Sequence, residues 1–78
     1  MSPINKYNQV FTETFDIKED QLEGLKYQTV ELWDSVGHMS LIAALEDAYE
    51  IMLDTDDIID FSSYEIGKEI LNKYGLEL

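Results

Sequence analysis

Asp34-Ser35-Val36-Gly37-His38-Met39-Ser40-Leu41-Ile42-Ala43-Ala44-Leu45-Glu46-Asp47-Ala48-Tyr49-Glu50 carries the longest helical pattern in the chain. Leu41, Ile42, Leu45, Ala48 and Tyr49 fall on one stripe of a helix. Val36, Ser40, Ala43 and Asp47 follow at steps of 4, 3 and 4 on the opposite face, with Glu46 beside them. Such spacing predicts a helix from Ser35 to about Glu50, buried along one side and wet along the other. Its start is marked twice, because either Asp34 or Ser35 can accept from the first unpaired amides.

The same periodicity extends outward in both directions. Ser2 suits an N-cap and Pro3 the first helical position, and Ile4, Tyr7, Phe11 and Phe15 recur on one face. A helix from Pro3 to about Thr14 is therefore expected. A long connection comes next, roughly Asp16 to Asp34, with a helical turn at Lys18–Leu22 that stops near Gly24. Ile17, Leu22, Leu25, Tyr27, Val30, Leu32 and Trp33 are too apolar to stay in water, so this segment should lie down on the core. A short helix is expected over Thr55–Asp60, capped by Asp54 or Thr55, with Ile58, Ile59 and Phe61 inward. The run Ser62-Ser63-Tyr64-Glu65 has the form of a capping box and opens a last helix with Ile66, Ile70 and Leu71 buried. Lys73 in its last turn and Gly75 beyond close it near Tyr74. No strand of convincing length interrupts this all-α pattern.

Composition narrows the function. The chain has 78 residues, 17 Asp and Glu against 5 Lys and no Arg, for a net charge of −12. From Gln28 to Gly67 there are ten acids and no Lys or Arg. A surface of one sign repels phosphate backbones and anionic membranes and favours basic partners. One domain spanning residues 1–78 is all this length supports. A domain of that size buries only about 60% of its unfolded surface and cannot wall off a deep catalytic pocket. Having no Cys, it holds no disulfide, thiolate metal site or catalytic thiol of its own. MSPINKYNQV lacks a basic segment leading into an apolar one, and no apolar run reaches the roughly 20 residues of a membrane span. A soluble, cytoplasmic, monomeric protein without membrane insertion is the expectation.

Trp33-Asp34-Ser35-Val36-Gly37-His38-Met39, running into Leu41–Asp47, resembles the phosphopantetheine attachment site of acyl carrier proteins. In that family an Asp-Ser-Leu signature opens the second helix, ahead of an apolar run that ends in acids. The likeness extends along nearly the whole chain: a helix, a long loop, Asp-Ser at the start of the second helix, a short third helix and a Ser-capped fourth. It implies an antiparallel bundle of three main helices plus one short helix, and no catalytic activity of its own. It implies a 4′-phosphopantetheine cofactor esterified to Ser35, with acyl groups carried as thioesters and presented to biosynthetic enzymes. Serine at a helix N-terminus is a favourable place for a phosphodiester, since unpaired amides and the positive end of the helix dipole meet there. The partners it implies are a phosphopantetheinyl transferase and acyl-loading and acyl-using enzymes with basic patches. These would dock on Asp34, Val36, Ala43, Glu46 and Asp47.

The sequence departs from the family pattern in places. Val36 replaces the usual Leu, Gly37 and His38 stand where an acid and a small polar residue are common, and Ser40 stands where many members carry an acid. These departures point to a specialised stand-alone carrier rather than the housekeeping carrier of fatty acid synthesis. The cargo is left open between fatty or hydroxy acyl chains and amino acids, the latter as in aminoacyl or peptidyl carriers. A degenerate carrier serving as a small acidic interaction module is the other alternative. His38 as a base for Ser35 would make a hydrolase, but no third group or oxyanion hole accompanies the pair. Asp54 to Glu65 mimics a calcium loop, with Ile58 and Ile59 where a ligand and the turn glycine belong.

Overall fold

Ser2 Oγ accepts the Asn5 amide at 3.3 Å, and Pro3 occupies the first turn of α1 (Pro3–Phe15) in the computed structural model, which describes residues 2–78. Tyr7, Phe11 and Phe15 are the buried face of this helix, as their spacing of four requires. Phe11 is the centre of the core. Its ring lies 4.8 Å from Tyr7, 5.4 Å from Tyr64, 5.6 Å from Trp33, 5.9 Å from Phe15 and 6.2 Å from Phe61.

α2 (Ser35–Tyr49) buries Leu41, Ile42 and Leu45 against that cluster. Two long side chains fasten it to the start of α1: Lys6 Nζ donates to the Ala48 carbonyl at 3.1 Å, and the Tyr49 hydroxyl to the Pro3 carbonyl at 2.6 Å. Partial burial pushes the Tyr49 hydroxyl up to about 12, so it stays a donor. α1 and α2 end alike. Phe15-Asp16-Ile17 and Tyr49-Glu50-Ile51 each place an acid in the left-handed region, at φ 54° and 55°. In each the next Ile amide reaches back five residues, to Thr12 at 3.2 Å and Glu46 at 3.1 Å, as in a Schellman ending.

The connection between α1 and α2 lies down on the core as expected, with Leu22, Leu25 and Trp33 buried. Its one regular piece is a 3-10 turn at Glu19–Gln21. An isolated bridge pairs Lys26 with Ser63, with Tyr27 N donating to Ser62 O and Tyr64 N to Leu25 O, both at 2.9 Å. The described residues hold no strand beyond this bridge.

α3 (Thr55–Asp60) and α4 (Tyr64–Asn72) complete an all-α bundle of three longer helices and a short one, the fold class the sequence predicts. Three details differ from expectation. The capping box at Ser62 does not form: the bridge to Lys26 keeps the chain extended through Ser63, whose Oγ takes the Ile66 amide at 3.0 Å. The helix therefore begins one residue later, with Ser63 as cap. Ile66 is 39% exposed, and the buried positions are Tyr64, Gly67, Ile70 and Leu71. Ile59 points outward at 71% exposure, because α3 is too short to bury more than one edge. Gly67 of α4 packs directly on the core: a Cβ there would lie 2.3 Å from both Phe61 Cζ and the Tyr7 hydroxyl. That hydroxyl donates to Tyr64 O at 2.6 Å, and burial raises its pKa far above the phenol range.

The residue that takes Ile59's inward place is charged. Asp57 is only 9% exposed and accepts from Lys73 Nζ at 2.7 Å and the Tyr74 hydroxyl at 2.6 Å. The Lys73 bond first, and the Tyr74 bond next, hold its carboxyl below the usual carboxylate range. The sign comes from linkage: a depressed folded value adds stability above the unfolded value, about 3.9, and loses it as pH falls through the folded one. Asp57→Asn should therefore be less stable than the parent by a constant margin from neutral pH down to about pH 4. Below that the two should converge. Urea unfolding of both proteins across this range reads the gap, and a margin unchanged at pH 2 would exclude an ionised Asp57.

Candidate functional site

Asp34 and Ser35 divide the work at the start of α2. The Asp34 Oδ1 accepts the Gly37 amide at 2.8 Å and the Asp34 carbonyl accepts the His38 amide at 2.7 Å. The carboxylate is thus the N-cap, which settles a choice left open by the sequence. Ser35 is the first helical residue and is exposed. Its hydroxyl is not needed to start the helix. The amides of Ser35 and Val36 precede the first hydrogen-bonded turn and face outward without intrahelical acceptors.

What holds the chain tightly here is Gly37. A Cβ at this position would stand 1.7 Å from the Leu32 carbonyl oxygen and 2.9 Å from its carbon. The loop backbone crosses the first turn of α2 at van der Waals distance, and only a residue without a side chain permits it. Glycine at position 37 thus has a local steric cause.

His38 is a tie between three segments. Its Nδ1 lies 3.0 Å from Trp33 Nε1 and its Nε2 2.8 Å from Ile58 O. An indole N–H can only donate, so Nδ1 accepts and Nε2 carries the hydrogen it gives to Ile58. The imidazole lies within 10° of the Trp33 plane and meets Tyr27 and Phe61 edge-on at centroid distances of 5.7 and 6.2 Å. Neither nitrogen is available to Ser35 in this arrangement.

Beside Ser35 opens a groove of about 390 Å³ between α2, α3 and the loop. Met39 and Ile59, 54% and 71% exposed, form its rim, while Ile58, His38 and Phe61 lie deeper and Tyr27 and Ser62 close one side. With Leu32 and Val36, 49% and 74% exposed, this makes an apolar surface around the serine. Sequence reasoning misses Met39 and Ile59 as part of the site. The one signal for Ile59 is a pair of adjacent apolar residues on a six-residue helix, which cannot both point inward.

The residues expected on the partner face are not equivalent. Asp34, Val36, Ala43 and Asp47 are exposed. Glu46 is half-buried, and its Oε2 accepts the Leu53 amide at 2.9 Å, fixing the turn between α2 and α3. Asp47, on the same stripe of α2 as Val36, also borders a shallow cleft of about 600 Å³ with Lys6 and Glu13 of α1. No helix among the described residues is long and apolar enough to cross a membrane.

Comparison with known proteins adds nothing to this geometry. No family model matches the chain, and no curated protein or solved structure matches it either.

Proposed function

We propose that the protein is an acyl carrier, with Ser35 as the attachment point of a 4′-phosphopantetheine arm. The observation that favours this most is the exposed Ser35 hydroxyl at the N-terminus of α2, relieved of capping by Asp34 and set at the lip of an apolar groove. When bound, the arm supplies the thiol that this Cys-free chain lacks and on which acyl groups form thioesters. The residues present suit such a group. The free amides of Ser35 and Val36 lie where a phosphodiester gains from the helix dipole, and the Asp34 carboxylate is turned onto Gly37.

This role calls for two kinds of partner. A phosphopantetheinyl transferase modifies Ser35, and enzymes of a fatty acid, polyketide or specialised acyl pathway load and use the cargo. Basic patches on them would meet Asp34 and Asp47, with an apolar contact to Val36. Glu46, tied to Leu53, contributes less to such docking than its sequence position implies. A cytoplasmic monomer fits this role.

Incubation with coenzyme A and a broad-specificity phosphopantetheinyl transferase, read by intact mass, is the test. One arm per chain is the expected result. An unchanged mass would favour the degenerate-carrier alternative, in which the apolar surface around Ser35 and the flanking acids serve as an interaction module alone.

A further inference from the structure

Resting on the carrier reading, we propose that His38 is a gate that keeps the group carried on Ser35 out of the core. The cargo is accordingly a short or polar acyl group. The groove beside Ser35 is at the small end of ligand pockets, which run from about 300 to 1,000 Å³. Beneath it lie fully buried apolar side chains. Trp33, Leu41 and Leu45 have no exposed surface and Phe61 has 1%. A long apolar chain gains by moving inward, away from water. The way in between α2 and α3 is crossed by His38, bonded to Trp33 Nε1 at 3.0 Å and to Ile58 O at 2.8 Å.

Displacing that ring breaks both bonds at once. It leaves an indole N–H and a carbonyl unpaired in a part-buried place, which is more costly than exchanging either with water. It also removes the ring from between Tyr27 and Phe61. A short chain, or one with polar groups, gains little by entering and rests against Met39, Ile58 and Ile59 instead. His38 is thus a specificity-determining residue that acts by closing a path, without touching the reacting atoms.

The test separates this from the carrier reading by avoiding the transferase. The chain has no Cys, so Ser35→Cys provides a single thiol to which butyl or dodecyl methanethiosulfonate attaches an alkyl chain by disulfide formation. With His38 present, the butyl and dodecyl forms should have the same Tm and the same amide-exchange protection in α3. With His38→Ala added, the dodecyl form should melt higher than the butyl form. His38→Gln, which retains one acceptor and one donor, should behave as the parent. A Tm that rises with chain length while His38 is intact overturns the gate, as does a His38→Ala protein indifferent to length. Should His38→Ala fail to fold, His38→Val, which also removes both bonds, takes its place with the same two outcomes. Failure of the carrier reading is read elsewhere, as absence of an arm on the unsubstituted chain.

Discussion

Ser35→Ala should abolish transfer of a coenzyme A-derived label while leaving the far-UV circular dichroism and the Tm essentially unchanged. The two halves of this expectation come from different atoms. Attachment needs the Ser35 oxygen. Helix initiation needs the Asp34 carboxylate on the Gly37 amide. Alanine is the best helix former, so its placement at an exposed first-turn position costs nothing. Asp34→Ala should show the opposite signature, a loss of about 1 kcal/mol from removal of the cap. Label retained on the Ser35→Ala protein would place the modification elsewhere. A large drop in its Tm would mean that the serine, rather than the aspartate, starts the helix.

Phe11→Ala should remove most of the domain's stability. Phe11 has no exposed surface, and five aromatic rings stand within 6.2 Å of its centroid. Truncating a buried Phe costs about 3–5 kcal/mol, because the lost transfer energy adds to the cavity left behind. Whole domains are stable by about 5–15 kcal/mol, and one this small lies toward the low end. Urea denaturation followed by Trp33 emission measures the loss, since that indole lies 5.6 Å from the Phe11 ring. A midpoint close to the parent's would show that the remaining rings close over the gap.

The helices are legible in the sequence because their signal is local. Tyr7, Phe11 and Phe15 on one face, Pro3 after Ser2, and the stripe through Leu41 and Leu45 each need only a few neighbouring residues to be read. The misplacements have the opposite cause. Asp57 lies in a run of acids that looks solvated, and only Lys73 and Tyr74, in the turn after α4, explain its burial. The capping box at Ser62 is a sound local pattern overridden by the bridge from Ser63 to Lys26 in the loop between α1 and α2. For the site, the position of Ser35 is readable and its surroundings are not. His38 meets Ile58 from another helix, and the need for glycine at 37 arises from the Leu32 carbonyl folding over it. Tertiary contacts of this kind leave no periodic trace.

The twin endings of α1 and α2 bear on how much change the chain can absorb. Asp16 and Glu50 sit in left-handed backbone, which costs a residue with a side chain roughly 1–2 kcal/mol. Both are also negative charges at the end of a helix where the dipole favours cations. Each position is therefore unfavourable twice, in conformation and in charge, and lies on the exposed surface. The fold tolerates both because the Ile after each is half-buried and packs on the core. A lineage carrying this sequence has two places, neither of them lining the groove beside Ser35, where a single substitution to glycine regains stability. That slack lets the surface around the serine drift toward new partners without loss of the fold.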